Sequence, residues 1–526
     1  MMTDRKSPEL SAPAENTLAA FALLLTVAAC GVLGWKVFHF WPFTVDDTFI
    51  TLRYAEHLAA GHGPVYNLEP PRSEGYTSFL WVIVLALAHL ASVDALSSAK
   101  ILASVFGAGT VAVAFALAAQ LCAFLGQRLR YLPAAFTAFW LAGFSPTAVH
   151  SVSGMETSLA SFLFVLLAYC ATTARWTAIP LLGLLLGLTR PEANAVVAPI
   201  LIYGFLSAEP ARRGPFALKV VLLYILPGAL YFAWRTWYFG HLFPIPFYMK
   251  LASQETFAGS EHALVFARRL LAVASFPLAG ILLRANRAPL FVLAAGFFWL
   301  GISALPADIM DYDFRFAFPA APLLFAAAGY GLAVWLHLAT EIRFTSPRRA
   351  TSSLVAAMAL VAVASHLILF EKFDSTRFQR RSYGEAIEAA HMRLGKILAK
   401  YREAPGRQPV IALGDAGAIP YYSGWRTIDT FGLNDAEIGI EGNFDPSYFL
   451  DQRPDLVVIV SERRSEYRVT EFFPREADFF EPIQAVGFEM LAIMPFSLNS
   501  YLWIMGDPES DVGRHVRNEI QKLVEE

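Results

Sequence analysis

Charged residues are what this 526-residue sequence has least of. Only 16% of its residues are Asp, Glu, Lys or Arg and 56% are hydrophobic, whereas soluble domains usually carry about 25% charged residues. Charge is missing from long runs and returns in bulk only after about Glu371. This pattern excludes a wholly soluble protein and predicts a polytopic α-helical membrane protein with a soluble C-terminal tail.

Basic tracts and cysteine pairs are also missing. The net charge is −3, and without a basic tract nothing indicates nucleic-acid binding. The three cysteines, Cys30, Cys122 and Cys170, lie in apolar runs, where small buried thiols are expected, and they form neither a disulfide framework nor a metal motif. The first apolar run continues past Ala28–Cys30, so we interpret it as a retained anchor rather than a cleaved signal.

The apolar runs predict about eleven membrane spans. A further run, 76–90, is short for a span, and arginine placement decides its status because cytoplasmic loops are rich in Arg and Lys. If 76–90 does not span and the N-terminus is cytoplasmic, four arginine clusters all face the cytoplasm, so we predict an interfacial or re-entrant helix there. The predicted spans are 17–35, 98–124, 131–149, 157–174, 177–189, 193–208, 218–238, 265–283, 288–305, 316–340 and 351–370.

The predicted organisation is a cytoplasmic N-terminus at 1–16, a transmembrane domain at 17–370 whose first outer loop is 41–94, and an outer domain at 371–526. In the outer domain "QPVIALGD" and "PDLVVIV" are typical of buried strands. An amphipathic helix, "SYGEAIEAAHMRLGKILAK", precedes them. We therefore expect a chain in the cytoplasmic membrane with an α/β domain on its periplasmic or extracellular face.

The segment Thr44–Gly63, "TVDDTFITLRYAEHLAAGHG", lies outside in this arrangement. Its adjacent carboxylates, Asp46 and Asp47, precede a weakly amphipathic helix expected at the membrane interface and ended by Gly61 and Gly63. One aspartate would cap that helix, and two exceed the need. Two interpretations stay open: helix capping, or a carboxylate that acts as a base or holds a cation.

Four further charged residues fall at the predicted outer face. Glu156 begins a span, where an acid also favours the helix dipole. Arg190 and Arg315 lie at outer span ends, where an arginine can simply snorkel, but a guanidinium also binds phosphate in a bidentate manner. Together with Lys250 they would suit the phosphate of a lipid.

Two groups of aspartates have an ordinary explanation beside a functional one. Asp308, Asp311 and Asp313 could bind Ca²⁺ or Mg²⁺, although a solvated loop is the favoured interpretation. Asp415 and Asp429 follow predicted strands and could line an acceptor groove or serve as turn residues.

The motifs also match a family in order. "DDTFITLRYAEHLAAGHG" followed by "EGYTSFLW" resembles the first outer loop of GT-C glycosyltransferases, above all the bacterial branch of the mycobacterial terminal β-1,2-arabinofuranosyltransferase. The resemblance runs from residue 40 to about 440. Its other segments are "SGMETSLA", "LTRPEANAV", "YFGHLFPIPFYMK", "DYDFRFAFPAAPLL" and "GDAGAIPYYSG…TIDTFGLND".

This resemblance implies a polyprenyl-phosphate sugar donor and a catalytic aspartate, Asp46 or Asp47. It implies a glycan or glycolipid acceptor, arabinofuranose as the candidate sugar, and a monomer in the bilayer. A divalent cation (Mg²⁺, Mn²⁺ or Ca²⁺) is left open, with Asp47 and Glu156 as its candidate ligands. The last part of the tail departs from the family pattern, which leaves the acceptor open. The candidate substrate-binding residues are Arg53, Glu74, Glu156, Arg190, Glu192, His241, Lys250, Arg315 and Asp415.

Two non-enzymatic readings compete with this one. A lipid-linked oligosaccharide flippase or transporter with an outer domain would need a polar path through the membrane. Ion-coupled transporters usually carry charged residues at mid-depth. The ionisable residues noted within the predicted spans are His337 and His366, toward the helix ends, which weighs against transport. A polysaccharide-binding scaffold would not need the aspartate pair.

Overall fold

A helical bundle joined to a small α/β domain makes up the chain. The structure is a computed structural model that describes residues 12–91, 93–126, 129–252, 259–305, 310–341, 347–370, 373–401, 408–471, 473–497 and 500–525. Within these residues the predicted fold class, an α-helical membrane domain followed by an α/β domain, is confirmed.

The bundle contains sixteen α-helices in the described residues. They are α1 (Ala12–Phe40), α2 (Asp46–Ala59), α3 (Phe79–His89), α4 (Ala95–Leu121), α5 (Tyr131–Gly143), α6 (Ser145–Val152), α7 (Thr157–Thr172), α8 (Ala178–Thr189), α9 (Asn194–Ser207), α10 (Pro210–Val220), α11 (Leu226–Phe239), α12 (Ile245–Ala252), α13 (Ser260–Leu283), α14 (Arg287–Ser303), α15 (Ala321–Glu341) and α16 (Pro347–Phe370).

Helix length limits how many of these can cross a membrane alone. Among the described residues five stretches are long and apolar enough, and α5 with α6 makes a sixth if the bent pair is one span. The other predicted spans coincide with apolar helices of 10–17 residues, so the count of about eleven stays a prediction. The five stretches are Glu15–Phe40, Ala95–Leu121, Pro210–Phe239, Ser260–Leu283 and Tyr312–Ala339.

The short run at 76–90 forms α3. Its 11 residues extend about 17 Å at 1.5 Å per residue, which is well short of a hydrocarbon core of about 30 Å. The predicted break in 177–208 is present: Arg190 has extended backbone angles and Pro191 opens a single 3₁₀ turn between α8 and α9.

A buried lysine fits the bend between α5 and α6, which is 61°. Lys36 of α1 is fully buried and donates to the carbonyl of Gly143 and, at 3.3 Å, to the hydroxyl of Ser145. The bend frees backbone groups that need partners in an apolar interior, and Lys36 provides a donor there. Lys36 lies just beyond the predicted span 17–35, and the sequence analysis did not single it out.

The three cysteines differ in exposure. Cys122 and Cys170 are buried as expected, whereas Cys30, which was also expected to be buried, is exposed.

The C-terminal domain is a five-stranded sheet with helices around it. The strand order is β2-β1-β3-β5-β4; β2, β1 and β3 are parallel, whereas β5 runs antiparallel to β3 and β4. The central strands β1 and β3 are buried throughout, as their continuous apolar sequences predict. The strands are β1 (Val410–Leu413), β2 (Arg426–Asp429), β3 (Leu456–Ser461), β4 (Glu489–Ser497) and β5 (Ser500–Gly506); the helices are α17 (Phe373–Ile387), α18 (Arg393–Ala399), α19 (Ala418–Ser423), α20 (Ala436–Gly439), α21 (Pro446–Leu450), α22 (Phe480–Ala485) and α23 (Asp511–Glu525).

Candidate active site

Helix α2 starts at the two aspartates of the first loop. The residue before them, Val45, is extended and makes no side-chain cap. Asp46 instead caps a helix of the other domain: its Oδ2 accepts from the backbone N of Gly417 and its Oδ1 from that of Ala418, both at 2.8 Å. The capping interpretation therefore applies to Asp46, but the capped helix is α19, which lies 371 and more residues along the chain.

The helix α2 is not a surface helix. Nine of its 14 residues are buried, and it packs against α3 and α19. The C-terminal domain covers the face of α2 that the sequence alone left open, and the position of α2 at the membrane interface stays a prediction. Gly61 and Gly63 follow its end with positive φ angles of 84° and 86°, as the sequence predicted.

Asp47 points to a different group of residues. Its Oδ2 lies 3.9 Å from Nη1 of Arg315, and Nη2 of Arg315 lies 3.8 Å from Oε1 of Glu156. The same Glu156 oxygen is 2.9 Å from Nη2 of Arg190. The side chain of Asp47 remains 23% exposed, against 4% for that of Glu156, so Asp47 is the carboxylate that an entering molecule can reach.

Three cations surround the ring of Phe316. The distances to its centroid are 4.3 Å for Nζ of Lys250, 5.1 Å for Cζ of Arg190 and 5.2 Å for Cζ of Arg315. An aromatic face attracts cations, and it holds these three together despite their mutual repulsion. We call Arg190, Lys250 and Arg315 the cation cluster; the sequence predicted its members but not Phe316.

The two arginines of the cation cluster have unused donors. Among the described residues, Nε of Arg190 and both Nε and Nη1 of Arg315 are buried without a hydrogen-bond partner. A buried donor without a partner costs about 1–3 kcal/mol, more for a charged group. Guanidinium donors match the oxygens of phosphate and carboxylate groups, so the cluster is built to receive an anion.

The turn Ser153–Glu156 places Glu156 opposite Arg190. Gly154 has φ +81°, and a Cβ there would lie 2.6 Å from Cγ2 of Thr48, so α2 approaches this turn more closely than other residues allow. Thr48 also donates to the carbonyl of Ser153 at 2.8 Å. The turn with the sequence "SGMETS" therefore packs directly against the start of α2, which has the sequence "DDTF".

The segment that carries Arg315 is held in unusual backbone geometry. Asp313 and Phe314 have φ angles of 46° and 60°, which are uncommon for residues other than glycine and cluster at functional sites. Asp311 accepts from the backbone N of Phe316 at 2.9 Å, and Asp313 pairs with Arg380.

Two members of the predicted acidic trio, Asp311 and Asp313, are described by the structure, and they do not lie in a solvated loop. Asp311 and Asp313 are largely buried, with side chains 5% and 8% exposed, and each fastens the backbone around Arg315. Asp308 lies outside the described residues.

Burial and charge separate the two acids of the site. Burial raises the pKa of Asp47; Arg315 opposes this shift and Glu156 adds to it. Burial acts on Glu156 in the same direction, but Arg190, Arg315 and Lys250 together outweigh it and hold the pKa of Glu156 below its ordinary value. Burial lowers the pKa of Lys250 to about 8. Two neighbouring acids whose pKa values are pushed apart are typical of a base beside a permanently charged partner.

Two predicted residues, Glu192 and Asp415, adjoin this centre. Glu192 is 3.1 Å from Nη1 of Arg190 and 43% exposed. Asp415 accepts at 2.8 Å from Nε2 of His391, a fully buried histidine. His391 was not singled out from the sequence, where it occupies an ordinary position in an amphipathic helix. Asp429 makes turn bonds to the backbone of 431–434, as its ordinary explanation predicts.

Other predicted substrate-binding residues have protein partners. Arg53 donates to the carbonyls of Tyr66, Pro420 and Trp425 at 2.6–2.7 Å, which joins the first loop to the C-terminal domain. Glu74 forms a buried ion pair with Arg235, and His241 joins that pair through its backbone oxygen at 3.5 Å. The geometry groups these residues with the framework of the first loop.

A polar cavity lies between the first outer loop and the C-terminal domain. Its volume is about 180 Å³, and its lining comes mainly from the second half of α2, the loop after it, α19 and the start of β2. Arg53, Glu56 and His57 line one side and Tyr421 and Arg426 the other. Arg53 therefore keeps a place at a cavity wall, although its donors are directed at backbone carbonyls.

The two candidate ligands of a divalent cation, Asp47 and Glu156, lie beside an arginine. The described residues contain no group of three or more His, Cys, Asp or Glu side chains placed to hold a metal ion. Asp47 and Glu156, the two candidate ligands, both face Arg315, and a guanidinium between two carboxylates repels a metal ion. The arrangement suits an anion above the cation cluster.

Comparisons with known proteins address the fold. Two crystal structures of ArnT from Cupriavidus metallidurans, one bound to undecaprenyl phosphate and one in the apo state, match with TM-scores of 0.60 and 0.59 at 12% identity, covering 92% of this chain and 98% of ArnT. The fold of this chain is thus similar to that of ArnT. The Archaeoglobus fulgidus oligosaccharyltransferase, tethered to an acceptor peptide containing the NVT sequon, matches with a TM-score of 0.50 at 12% identity over 85% of this chain and 69% of that one.

Sequence comparisons add little to this. Residues 381–493 match a family described as a domain of unknown function, DUF8728, which lies within the C-terminal domain. No curated protein matches the chain.

Proposed function

We propose that this chain is a membrane glycosyltransferase that moves a sugar from a polyprenyl-phosphate donor to a hydroxyl of a cell-envelope glycan or glycolipid. The observation that carries the proposal is the cation cluster around Phe316 with its unused guanidinium donors, beside a reachable carboxylate on Asp47. The structural neighbour ArnT binds undecaprenyl phosphate, and a lipid phosphate is the anion that an integral membrane site would meet.

In the proposed reaction Asp47 accepts the proton of the acceptor hydroxyl. The hydroxyl oxygen forms a bond to C1 of the donor sugar while the bond from C1 to the phosphate oxygen breaks, and the electron pair leaves with the phosphate. A raised pKa makes Asp47 a stronger base than an ordinary aspartate, and a base of this kind contributes about 10²–10⁴-fold.

The cation cluster stabilises the charge that develops on the leaving phosphate. Its donors are fixed before the reaction, so they need no reorganisation as charge moves onto the phosphate. Glu156 keeps Arg190 and Arg315 oriented, because its carboxylate lies 2.9 Å and 3.8 Å from them. We assign no step to a divalent ion.

Asp47 is preferred over Asp46 as the base. Both carboxylate oxygens of Asp46 accept backbone N–H groups of the C-terminal domain, whereas Asp47 contacts Arg315 only at 3.9 Å and retains exposed surface. The site is proposed to face the periplasm or cell exterior, and arabinofuranose is the first sugar to test because of the family resemblance.

The experiment is incubation of the purified protein with a panel of polyprenyl-phosphate sugars, with release of polyprenyl phosphate as the signal. We expect release with at least one donor, and loss of that release in Asp47→Asn. A protein that releases no polyprenyl phosphate from any donor, yet moves lipid-linked sugars across proteoliposomes, would be the flippase of the alternative reading.

A further inference from the structure

A buried histidine of the C-terminal domain has no role in the mechanism above. His391 is 0% exposed and lies in a π-helical turn, Glu388–Met392, between α17 and α18. Turns of this type are rare and occur frequently at functional sites. Its Nε2 lies 2.8 Å from Oδ2 of Asp415, and its Nδ1 is buried without a hydrogen-bond partner in the described part of the chain.

The loop that carries Asp415 is fixed to the first loop on both sides. The carbonyl of Ala416 accepts from the hydroxyl of Tyr66 at 2.6 Å, and the backbone N–H groups of Gly417 and Ala418 bind Asp46. Asp415 thus has a set position beside the start of α2. Its side chain is 19% exposed, so one face of the carboxylate remains open to a ligand while His391 holds the other.

The charges around this pair belong to the site. Asp415 and Asp46 act on the imidazole of His391 and outweigh burial, so that its pKa is raised, and the charge of Asp415 also reaches Asp47. The other groups packed here are the phenol of Tyr383 from α17, which feels Asp46, Asp415 and Asp47, and the ring of Phe496 from β4 at 4.5 Å.

We propose that His391 and Asp415 form the acceptor half of the site. Asp415 binds an acceptor hydroxyl and directs it toward Asp47, and His391 is a positioning residue that holds Asp415. The inference rests on the proposed function and extends it: the membrane domain would bind the donor phosphate, and the C-terminal domain would bind the hydroxyl-bearing acceptor. An ion pair that only stabilises the C-terminal domain is the competing explanation.

Steady-state kinetics separate these explanations. We expect Asp415→Asn and His391→Ala to raise the acceptor KM about 10- to 100-fold, the loss expected for one hydrogen bond to a charged group, with the donor KM unchanged. His391→Gln keeps a donor to Asp415 and should recover most of the acceptor KM. A purely structural pair would lower the amount of folded enzyme and leave both KM values unchanged.

His515 provides a matched control in the same domain. Its ring contacts a backbone oxygen, that of Ile397 at 3.2 Å, and His515→Gln should leave both KM values unchanged. If the Asp415 and His391 variants fold and keep the wild-type acceptor KM, the inference is wrong while the proposed function stands. If the wild-type protein transfers no sugar, the proposed function fails first.

A second measurement does not depend on activity. In the full-length protein with ¹⁵N-labelled histidine, the His391 signals are identified by their loss in His391→Gln. We expect His391 to titrate at a higher pH midpoint than an ordinary histidine. In Asp415→Asn this midpoint should fall toward the ordinary value. An unchanged midpoint in Asp415→Asn would mean that the pair does not exist in solution, which would overturn the inference whatever the kinetics show.

Discussion

Asp46 and Gly417 meet so closely that no other residue fits at position 417. The backbone N of Gly417 donates to Oδ2 of Asp46 at 2.8 Å, and a Cβ on Gly417 would lie 2.3 Å from the same oxygen and 2.1 Å from the carbonyl of Asp46. The first aspartate of the pair is thus a contact between domains, and the proposed catalytic role falls to the second, Asp47.

The two adjacent aspartates should respond differently to the same substitution. Asp47→Asn removes the proposed base, so we expect kcat to fall about 10²–10⁴-fold with little change in thermal stability. Asp46→Asn leaves one acceptor oxygen for two backbone donors, so we expect a lower unfolding temperature and a smaller loss of kcat. Sugar transfer and thermal unfolding of both purified variants provide the measurement.

Each variant is the control for the other, since the chemical change is identical and the positions are adjacent. The assignment would be reversed if Asp46→Asn lost transfer while keeping its unfolding temperature and Asp47→Asn stayed active.

The cation cluster should determine donor affinity. Arg190→Ala and Arg315→Ala each remove a guanidinium whose Nε has no hydrogen-bond partner among the described residues, so we expect the Kd for polyprenyl phosphate to rise about 10- to 100-fold. Arg212→Ala is the control, because the Arg212 side chain is 62% exposed and pairs with an exposed glutamate. Binding is measured by titration of the lipid into the purified protein, and an unchanged Kd in both cluster variants would remove them from the site.

The bundle and the cation cluster were accessible to sequence reasoning because they depend on local patterns. Long apolar runs become helices in lipid since their backbone groups must be paired internally, and the break at Pro191 follows from proline chemistry. Arg190, Lys250 and Arg315 could be grouped because the positive-inside rule makes outer cations unusual.

Contacts between distant segments were not accessible in this way. Nothing near Asp46 in the sequence indicates that its partners are Gly417 and Ala418, because these contacts form only when the two domains pack. Nothing near His391 indicates Asp415, because that pair forms only when the C-terminal domain folds. The carbonyl partners of Arg53 could not be predicted from the sequence either, because every residue has a backbone carbonyl. The resemblance suggested that Arg53 binds substrate, whereas in the structure Arg53 connects the first loop to the C-terminal domain.

The pH dependence of transfer should distinguish the two arginines. Asp47 is active as a base only when ionised, so transfer should rise with pH through its raised pKa. Arg315 lowers that pKa, and its removal in Arg315→Gln should move the acid limb of kcat to higher pH. Arg190→Gln is the matched control: Arg190 pairs with Glu156 and Glu192, so its loss should weaken donor binding and leave the limb in place. Equal shifts in both variants would contradict the assignment.

Arg53 should matter for the stability of the domain arrangement. In Arg53→Ala three buried carbonyls lose charged donors, which should cost about 3 kcal/mol or more and lower the unfolding temperature by about 5 °C or more. Arg463→Ala is the control, because Arg463 is 51% exposed and pairs with an exposed Glu466. The measurement is thermal unfolding in detergent, and equal unfolding temperatures for the two variants would contradict a fastening role.

The orientation in the membrane can be tested at one exposed residue of the first loop. Leu68 is 52% exposed, and in a Cys30→Ala background the remaining native thiols are buried. We expect Leu68→Cys to react with a membrane-impermeant maleimide in right-side-out vesicles, because the arginine clusters predict that this loop lies outside. Arg212→Cys, in the first turn of α10, should react only after permeabilisation. The reverse pattern would put Asp47 and the cation cluster in the cytoplasm, where the proposed acceptor, a cell-envelope glycan outside the membrane, could not reach them.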